Sequence, residues 1–182
     1  SLEAVGSALE ADDWKAEGGL MAGYFQVMGT KDLEIHEWAD GPGSAAAVKG
    51  KVRSIEMRVP VPPAPMCPKE TRVQSMWHVA VLETKVVLES VSMSLDVPCG
   101  TSFNTIACDT FTVKDGRLHM VRTCGVEWVQ SSWLQKLVEQ NVPPELAKIG
   151  KKMSEVILKW DKLASLPQPI PTVASAVSAK SL

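Results

Sequence analysis

At 182 residues, 45% of them hydrophobic and 22% charged, the chain is long enough for one domain with a substantial core. A formal net charge of −2 removes the overall electrostatic case for nucleic acid, whose binders are strongly basic. No apolar run approaches the roughly 20 residues of a membrane span, and no signal peptide is visible.

The charge is unevenly spread. Residues 1–40 carry nine acids against Lys15 and Lys31, whereas residues 48–72 carry Lys49, Lys51, Arg53, Arg58, Lys69 and Arg72 against Glu56 and Glu70. Such a basic stretch suits anionic lipid headgroups, although a solvated face is the commoner explanation. The four cysteines, Cys67, Cys99, Cys108 and Cys124, show no paired or zinc-ligand spacing, so reduced thiols are expected, with no metal and no cofactor. Because the chain begins at Ser1 rather than methionine, it reads as a fragment, and any anchor belonging to the full protein is expected outside it.

In chain order, residues 1–18 are polar and acidic and read as an N-terminal extension, with a short helical possibility around Leu9–Trp14. Leu20, Met21, Tyr24, Phe25, Val27 and Met28 have helical spacing, and Gly41-Pro42-Gly43-Ser44 reads as a turn. Residues 51–59 alternate as a strand with Arg53, Ile55, Met57 and Val59 on one side. The proline-rich stretch Pro60–Pro68 cannot be a central strand. Strands follow at 71–83, 85–95, 103–113 and 117–129, the last two joined by the hairpin signal Lys114-Asp115-Gly116. Short links between consecutive strands imply an antiparallel meander.

Trp133, Leu134, Leu137 and Val138 start a short helical segment that Pro143-Pro144 is expected to interrupt. From Glu145 to about Ala164 a second helix puts Leu146, Ile149, Met153, Val156, Ile157, Trp160 and Leu163 on one arc. Lysines and Glu155 fall opposite, with Leu158 the exception. Residues 166–182, rich in Pro, Ala and Ser, read as a disordered linker.

These elements predict an α+β layer, a curved antiparallel sheet wrapped around a long C-terminal helix. The gap between the two apolar surfaces is either a filled core or a pocket, and pattern alone does not decide between them. The sheet side of that interior is assigned Met57, Val59, Met76, Val87, Val91, Met93, Phe111, Met120 and Val126, and the helix side Ile149, Met153, Ile157 and Trp160. Gln74, Ser75, His78 and Ser92 are polar residues inside apolar strands and are candidates for its polar end. Which strand face points inward stays open, since a one-residue slip exchanges the two sets.

Catalytic constellations do not assemble in the sequence. His36-Glu37 lacks the second histidine of a zinc-protease helix, and Gly43–Lys51 fails the phosphate-loop signature. Cys108 and Cys124 are placed opposite each other across the last hairpin as a reduced core pair.

One set of landmarks is more specific than any of these. Gly29-x-Lys31-Asp32 with Trp38 downstream is followed by Arg53 opening a strand that ends in Val59-Pro60, then by Gln74. Next come the phrase Asp96-Val97-Pro98-Cys99-Gly100-Thr101-Ser102-Phe103 and Trp133 before the final helix. In order and spacing this resembles the VASt domain, a relative of the StAR-type lipid-transfer domains, over roughly residues 20–163. Cys99 stands where most of that family has tyrosine.

The resemblance implies the helix-grip (START-like) fold over 19–165 and an apolar pocket for one sterol or similar lipid. The expected lining is Met57, Val59, Gln74, Met76, His78, Val91, Phe111, Met120, Ile149, Met153, Ile157 and Trp160. It implies that Pro60–Pro68 is a lid, with Val61, Ala64 and Met66 dipping into a bilayer and Lys69 and Arg72 meeting phosphates. A monomeric, non-enzymatic sterol-transfer domain of a larger membrane-associated protein is expected, on the cytoplasmic face of membranes at endoplasmic-reticulum contact sites. The rivals are a scaffold or regulatory domain with a filled pocket or another hydrophobic ligand and, last, a helix-grip enzyme.

Overall fold

The computed structural model describes residues 1–43, 48–64 and 66–164; the linker expected at 166–182, and Ser44 of the expected turn, lie outside the described residues. The elements are α1 (Leu2–Leu9), α2 (Leu20–Met28), β1 (Lys31–Ile35), β2 (Ala39–Pro42), β3 (Lys49–Pro60) and β4 (Glu70–Val81). They continue with β5 (Lys85–Ser94), a 3₁₀ turn (Gly100–Ser102), β6 (Phe103–Lys114), β7 (Arg117–Trp128) and α3 (Gln135–Ala164). The strands form one curved antiparallel sheet in the order β1-β3-β4-β5-β6-β7. The free edge of β3 is shared, β1 pairing along Ile55–Arg58 and β2 along Lys49–Val52. With α3 against the sheet, this is the helix-grip α+β fold.

Local chemistry accounts for the joints. Gly29 ends α2 in the left-handed conformation at φ 68°, where glycine carries no Cβ penalty, and its N–H donates to the Gln26 carbonyl at 3.0 Å. Asp115 and Gly116, at φ 51° and 71°, make the tight turn between β6 and β7 and set Lys114 opposite Arg117.

The register sorts side chains onto two faces. Facing α2 and α3, successive rows cross the sheet: Val86, Phe111 and Met120; then Val79, Leu88, Asp109 and Arg122; then Arg53, Trp77, Ser90, Ala107 and Cys124. Ile55, Ser75, Ser92, Thr105 and Val126 form the next row. Val86 and Phe111 of the first row and Val79 and Leu88 of the second join Met153, Val156 and Ile157 of α3 and Leu20, Met21, Tyr24 and Phe25 of α2 in the core, with Met120 packed against them. As the helical arc predicts, Leu158 points out, at 63% exposed.

Three sequence expectations change. Residues 1–18, read as an extension, supply α1 and Trp14 to the core, with Val5, Leu9 and Trp14 all buried. The Trp14 indole N–H donates to the Leu9 carbonyl at 3.0 Å, and its ring meets Trp38 and Trp77 edge-on at 5.3 and 5.6 Å. Secondly, Pro143 and Pro144 lie inside one continuous α3 rather than ending a helix. The carbonyls they leave without an N–H donor belong to Glu139 and Gln140, both exposed, where water can satisfy them. Finally, Cys108 and Cys124 sit on opposite faces, Cys108 opposite Thr123 and Cys124 opposite Ala107.

Candidate functional site

The inner face changes character along the strands. At the end where α1 and the C-terminal half of α3 pack, Val79, Leu88, Phe111 and Met153 are 0–2% exposed. Toward the other end β5 and the middle of β6 carry small residues, Ser90, Ser92, Thr105 and Ala107, all half-buried, until Phe103, 5% exposed, meets the Trp128 ring at 5.2 Å. The N-terminal half of α3 does not cover them, because it runs beside β7. Trp128 donates to Glu139 at 3.0 Å, the Cys124 thiol lies 4.0 Å from the Pro143 carbonyl, and Arg122 donates to the Leu146 carbonyl at 3.4 Å. The result is an inner face lined by small side chains in its middle and left uncovered there by the N-terminal half of α3.

Its deep end is polar. Arg122 makes a two-pronged bond to Asp109, at 2.6 and 2.5 Å, and the Asp109 side chain is 2% exposed. Tyr24 of α2 reaches the same arginine. Burial, partly offset by the Arg122 charge, raises the Tyr24 pKa above its ordinary 10, so the phenol stays neutral and able to donate or accept. Midway along the floor the Ser75 and Ser92 hydroxyls meet at 2.7 Å, and Thr105 donates to the Ser92 carbonyl at 3.2 Å.

The open end is framed by the β3–β4, β5–β6 and β7–α3 connections, which the phrase Asp96–Phe103 knits together. Asp96 accepts from the Arg72 backbone at 2.7 Å and from its guanidinium at 2.6 Å, which pulls the Asp96 pKa down from 3.8 to about 2. Gly100 packs so close to the Ser94 carbonyl that a Cβ there would overlap it. The Ser102 carbonyl accepts from the N–H groups of Val129 and Gln130 at 2.9 and 3.1 Å.

Of the expected pocket residues, the structure brings Met57, Val59, Phe111, Met120, Ile149, Met153, Ile157 and Trp160 to the inner side. Phe111, Met153 and Ile157 are packed core at its closed end. Gln74, Met76, His78 and Val91 fall on the outer face, the one-residue alternation placing Val73, Ser75 and Trp77 inward instead. Val87 and Met93 share that outer face. His78 is nonetheless 3% exposed, because β2 and Gly43 fold over it, and a Cβ on Gly43 or Gly50 would come within 2.6 Å of its ring. In the β3–β4 connection Val61 is half-buried while Ala64, Met66 and Lys69 are exposed. The Arg72 guanidinium is held by Asp96 rather than free for a phosphate.

Asp109, Arg122 and Tyr24 escaped the sequence reading. A signal existed: once Asp115-Gly116 is the turn, pairing Lys114 with Arg117 puts Asp109 opposite Arg122, an opposite-charge pair inside apolar strands.

The seam between β7 and α3, lined by Met120, Arg122, Cys124, Ala147, Gly150, Lys151 and Ser154, encloses about 250 Å³. That is below the range of about 300–1,000 Å³ typical of ligand pockets. A second cleft of about 490 Å³ lies outside the floor, bordered by Asp12, Ile35, His36, Glu37, Trp38 and Arg53. There the Arg53 guanidinium is stacked 3.8 Å from the Trp38 ring centroid and 4.8 Å from that of Trp14. Burial pulls its pKa below the usual arginine value.

The family model for the VAD1 Analog of StAR-related lipid transfer domain (VASt) matches residues 14–144. The chain belongs to the VASt family. The match begins at Trp14, inside the segment that sequence reading had set apart, and includes every residue of the floor, the polar end and the rim just described. VASt membership is consistent with binding a hydrophobic lipid.

Proposed function

We propose that this VASt domain binds one sterol and carries it between membranes, without catalysing a reaction. The observation that supports this most is the inner face itself, with Ser90, Ser92, Thr105 and Ala107 between a buried polar end and the rim formed by the strand connections. From Asp109 to Phe103 the strand runs about 20 Å, at about 3.3 Å per residue. That matches the long axis of a rigid sterol. The hydrocarbon would lie along the small residues, and the single hydroxyl would reach Tyr24 or Arg122, directly or through a water. Val61, Ala64 and Met66 would move aside as the lid. A carrier rather than an enzyme is favoured because the polar residues of the site bind one another, Arg122 spanning Asp109, Tyr24 and the Leu146 carbonyl. We place the domain at the cytoplasmic face of membrane contacts, within a larger membrane-associated protein.

A second reading, a scaffold with a filled interior, draws on the closed half, where Phe111 and Met153 are fully buried, and on the small β7–α3 seam. Titration of the purified chain with a fluorescent sterol, competed by unlabelled sterol, separates the two. Saturable, competable binding near one sterol per chain is the expected result. Failure of folded protein to bind would refute the carrier and favour the scaffold.

A further inference from the structure

We propose that Asp109 is a specificity determinant: by occupying Arg122 it makes the site accept neutral, hydroxyl-bearing lipids and reject lipids with an anionic head. The inference rests on the lipid-carrier reading and adds to it the charge class of the ligand.

The register places the pair where the head of a bound lipid would stop. On the inner face of β6, Asp109 follows Thr105 and Ala107, and Arg122 of β7 stands directly opposite it. Beyond the pair Phe111 is 0% exposed. A lipid lying along Ser90, Ser92, Thr105 and Ala107 therefore meets Asp109 and Arg122 before it meets packed core.

A buried guanidinium at the end of such a path is the group best suited to capture a carboxylate, sulfate or phosphate, through paired N–H donors. Here its donors are already engaged. Nε and Nη2 donate to the two Asp109 oxygens at 2.6 and 2.5 Å, and Nη1 donates to the Leu146 carbonyl at 3.4 Å. Every nitrogen of the guanidinium thus has a protein partner. Nor is the arginine free to swing toward a ligand, because Gly150 lays α3 against it. A Cβ on Gly150 would lie 2.8 Å from Arg122 Cδ and 3.2 Å from its Nε.

The surroundings supply no replacement cation. From β5, Leu88 stands opposite Asp109, and from α2 comes the Tyr24 phenol, 7% exposed. Lys151 of α3 lines the seam beside Arg122 but is exposed, so water and salt screen it. An anionic head would lose its hydration, find a pair with no net charge, and face the Asp109 carboxylate. A hydroxyl gives up far less hydration, and it can donate to Asp109 or accept from Tyr24.

The test measures equilibrium binding of radiolabelled lipids to the whole chain, in two pairs that differ in head charge: cholesterol with cholesterol sulfate, and hexadecanol with palmitate. Cholesteryl acetate, neutral but larger than cholesterol at the same position, controls for size. Wild type should bind the neutral member of each pair at least about tenfold more tightly. Asp109→Asn keeps the shape and frees the guanidinium charge, so it should narrow both ratios by about tenfold, with the cholesterol-to-acetate ratio unchanged. Asp109→Thr, whose side chain suits a strand, serves as a second variant should Asp109→Asn fail to fold. A merely structural Asp109 would shift the melting temperature without moving these ratios. Equal wild-type affinity within both pairs, or a folded Asp109 variant with unchanged ratios, overturns the proposal. Discrimination between hexadecanol and palmitate without cholesterol binding would uphold the selectivity while removing the sterol. Cholesterol binding without discrimination would do the reverse. Failure of the folded chain to bind any of these lipids would overturn both.

Discussion

Replacing Arg122 by Met keeps the length of the side chain and removes its charge, leaving the Asp109 carboxylate with 2% exposure and without the cation that grips it at two points. Breaking a buried pair from one side costs about 3–5 kcal/mol, because the remaining ion keeps its desolvation penalty and loses the compensating attraction. The Arg122 side chain is itself only 11% exposed, so the discount that applies to surface pairs does not reach this one. At about 2–4 °C per kcal/mol for a domain of this size, the melting temperature should fall by about 6–20 °C. Urea unfolding followed by circular dichroism would measure the loss directly. The double variant Arg122→Met/Asp109→Leu should regain most of it, since exchanging a whole buried pair for apolar groups is often neutral or stabilising. It should still bind sterol more weakly, by up to about tenfold, if the hydroxyl is recognised at this end. A single variant within about 1 kcal/mol of wild type, or a double variant no more stable than the single, would refute the argument that the pair is desolvated.

Phe111→Ala should cost about 3–5 kcal/mol in urea, as a cavity in packed core; a small cost with altered sterol affinity would instead return Phe111 to the ligand site. Gly100→Ala should destabilise by about 1–3 kcal/mol in the same assay, because its Cβ would collide with the backbone carbonyl of Ser94 rather than a side chain that can turn away. Asp96 has a folded pKa of about 2, below its usual 3.8. Its contribution is therefore present above pH 3.8 and is lost as pH falls through about 2. Hydrogen-exchange protection of residues 95–102 should drop over that window in the wild type, and Asp96→Asn should be less protected already at neutral pH, with no such step.

The positions of β3 to β7, the hairpin at Asp115-Gly116 and the apolar arc of α3 are legible in the sequence, because each rests on a local period or turn chemistry. Facing was less so. In β4 the alternation of Arg72, Gln74 and Met76 with Val73, Ser75 and Trp77 fixes the inner set only once Trp77 outweighs Met76, and His78 and Ala80 blur it by being buried on the outer side. That burial comes from β2 and Gly43, a contact remote from β4 in sequence. The strands β1 and β2 escaped notice because, as short edge strands, they expose most residues and carry no apolar alternation. The short α1 and Trp14 were hidden by the acidic residues around them, although Trp14 forms the centre of the aromatic cluster.

The phrase Asp96–Phe103 was noticed as a pattern, and the structure gives it a task. Asp96 grips the start of β4 at the root of the proline-rich connection, Gly100 permits the close turn, and Ser102 holds the approach to α3. Cys99 takes left-handed backbone, at φ 51°, and its side chain makes no capping bond to the 3₁₀ turn. The start of β4 at Arg72 and the approach to α3 at Val129 therefore share one hydrogen-bonded joint, built from the two ends of this phrase.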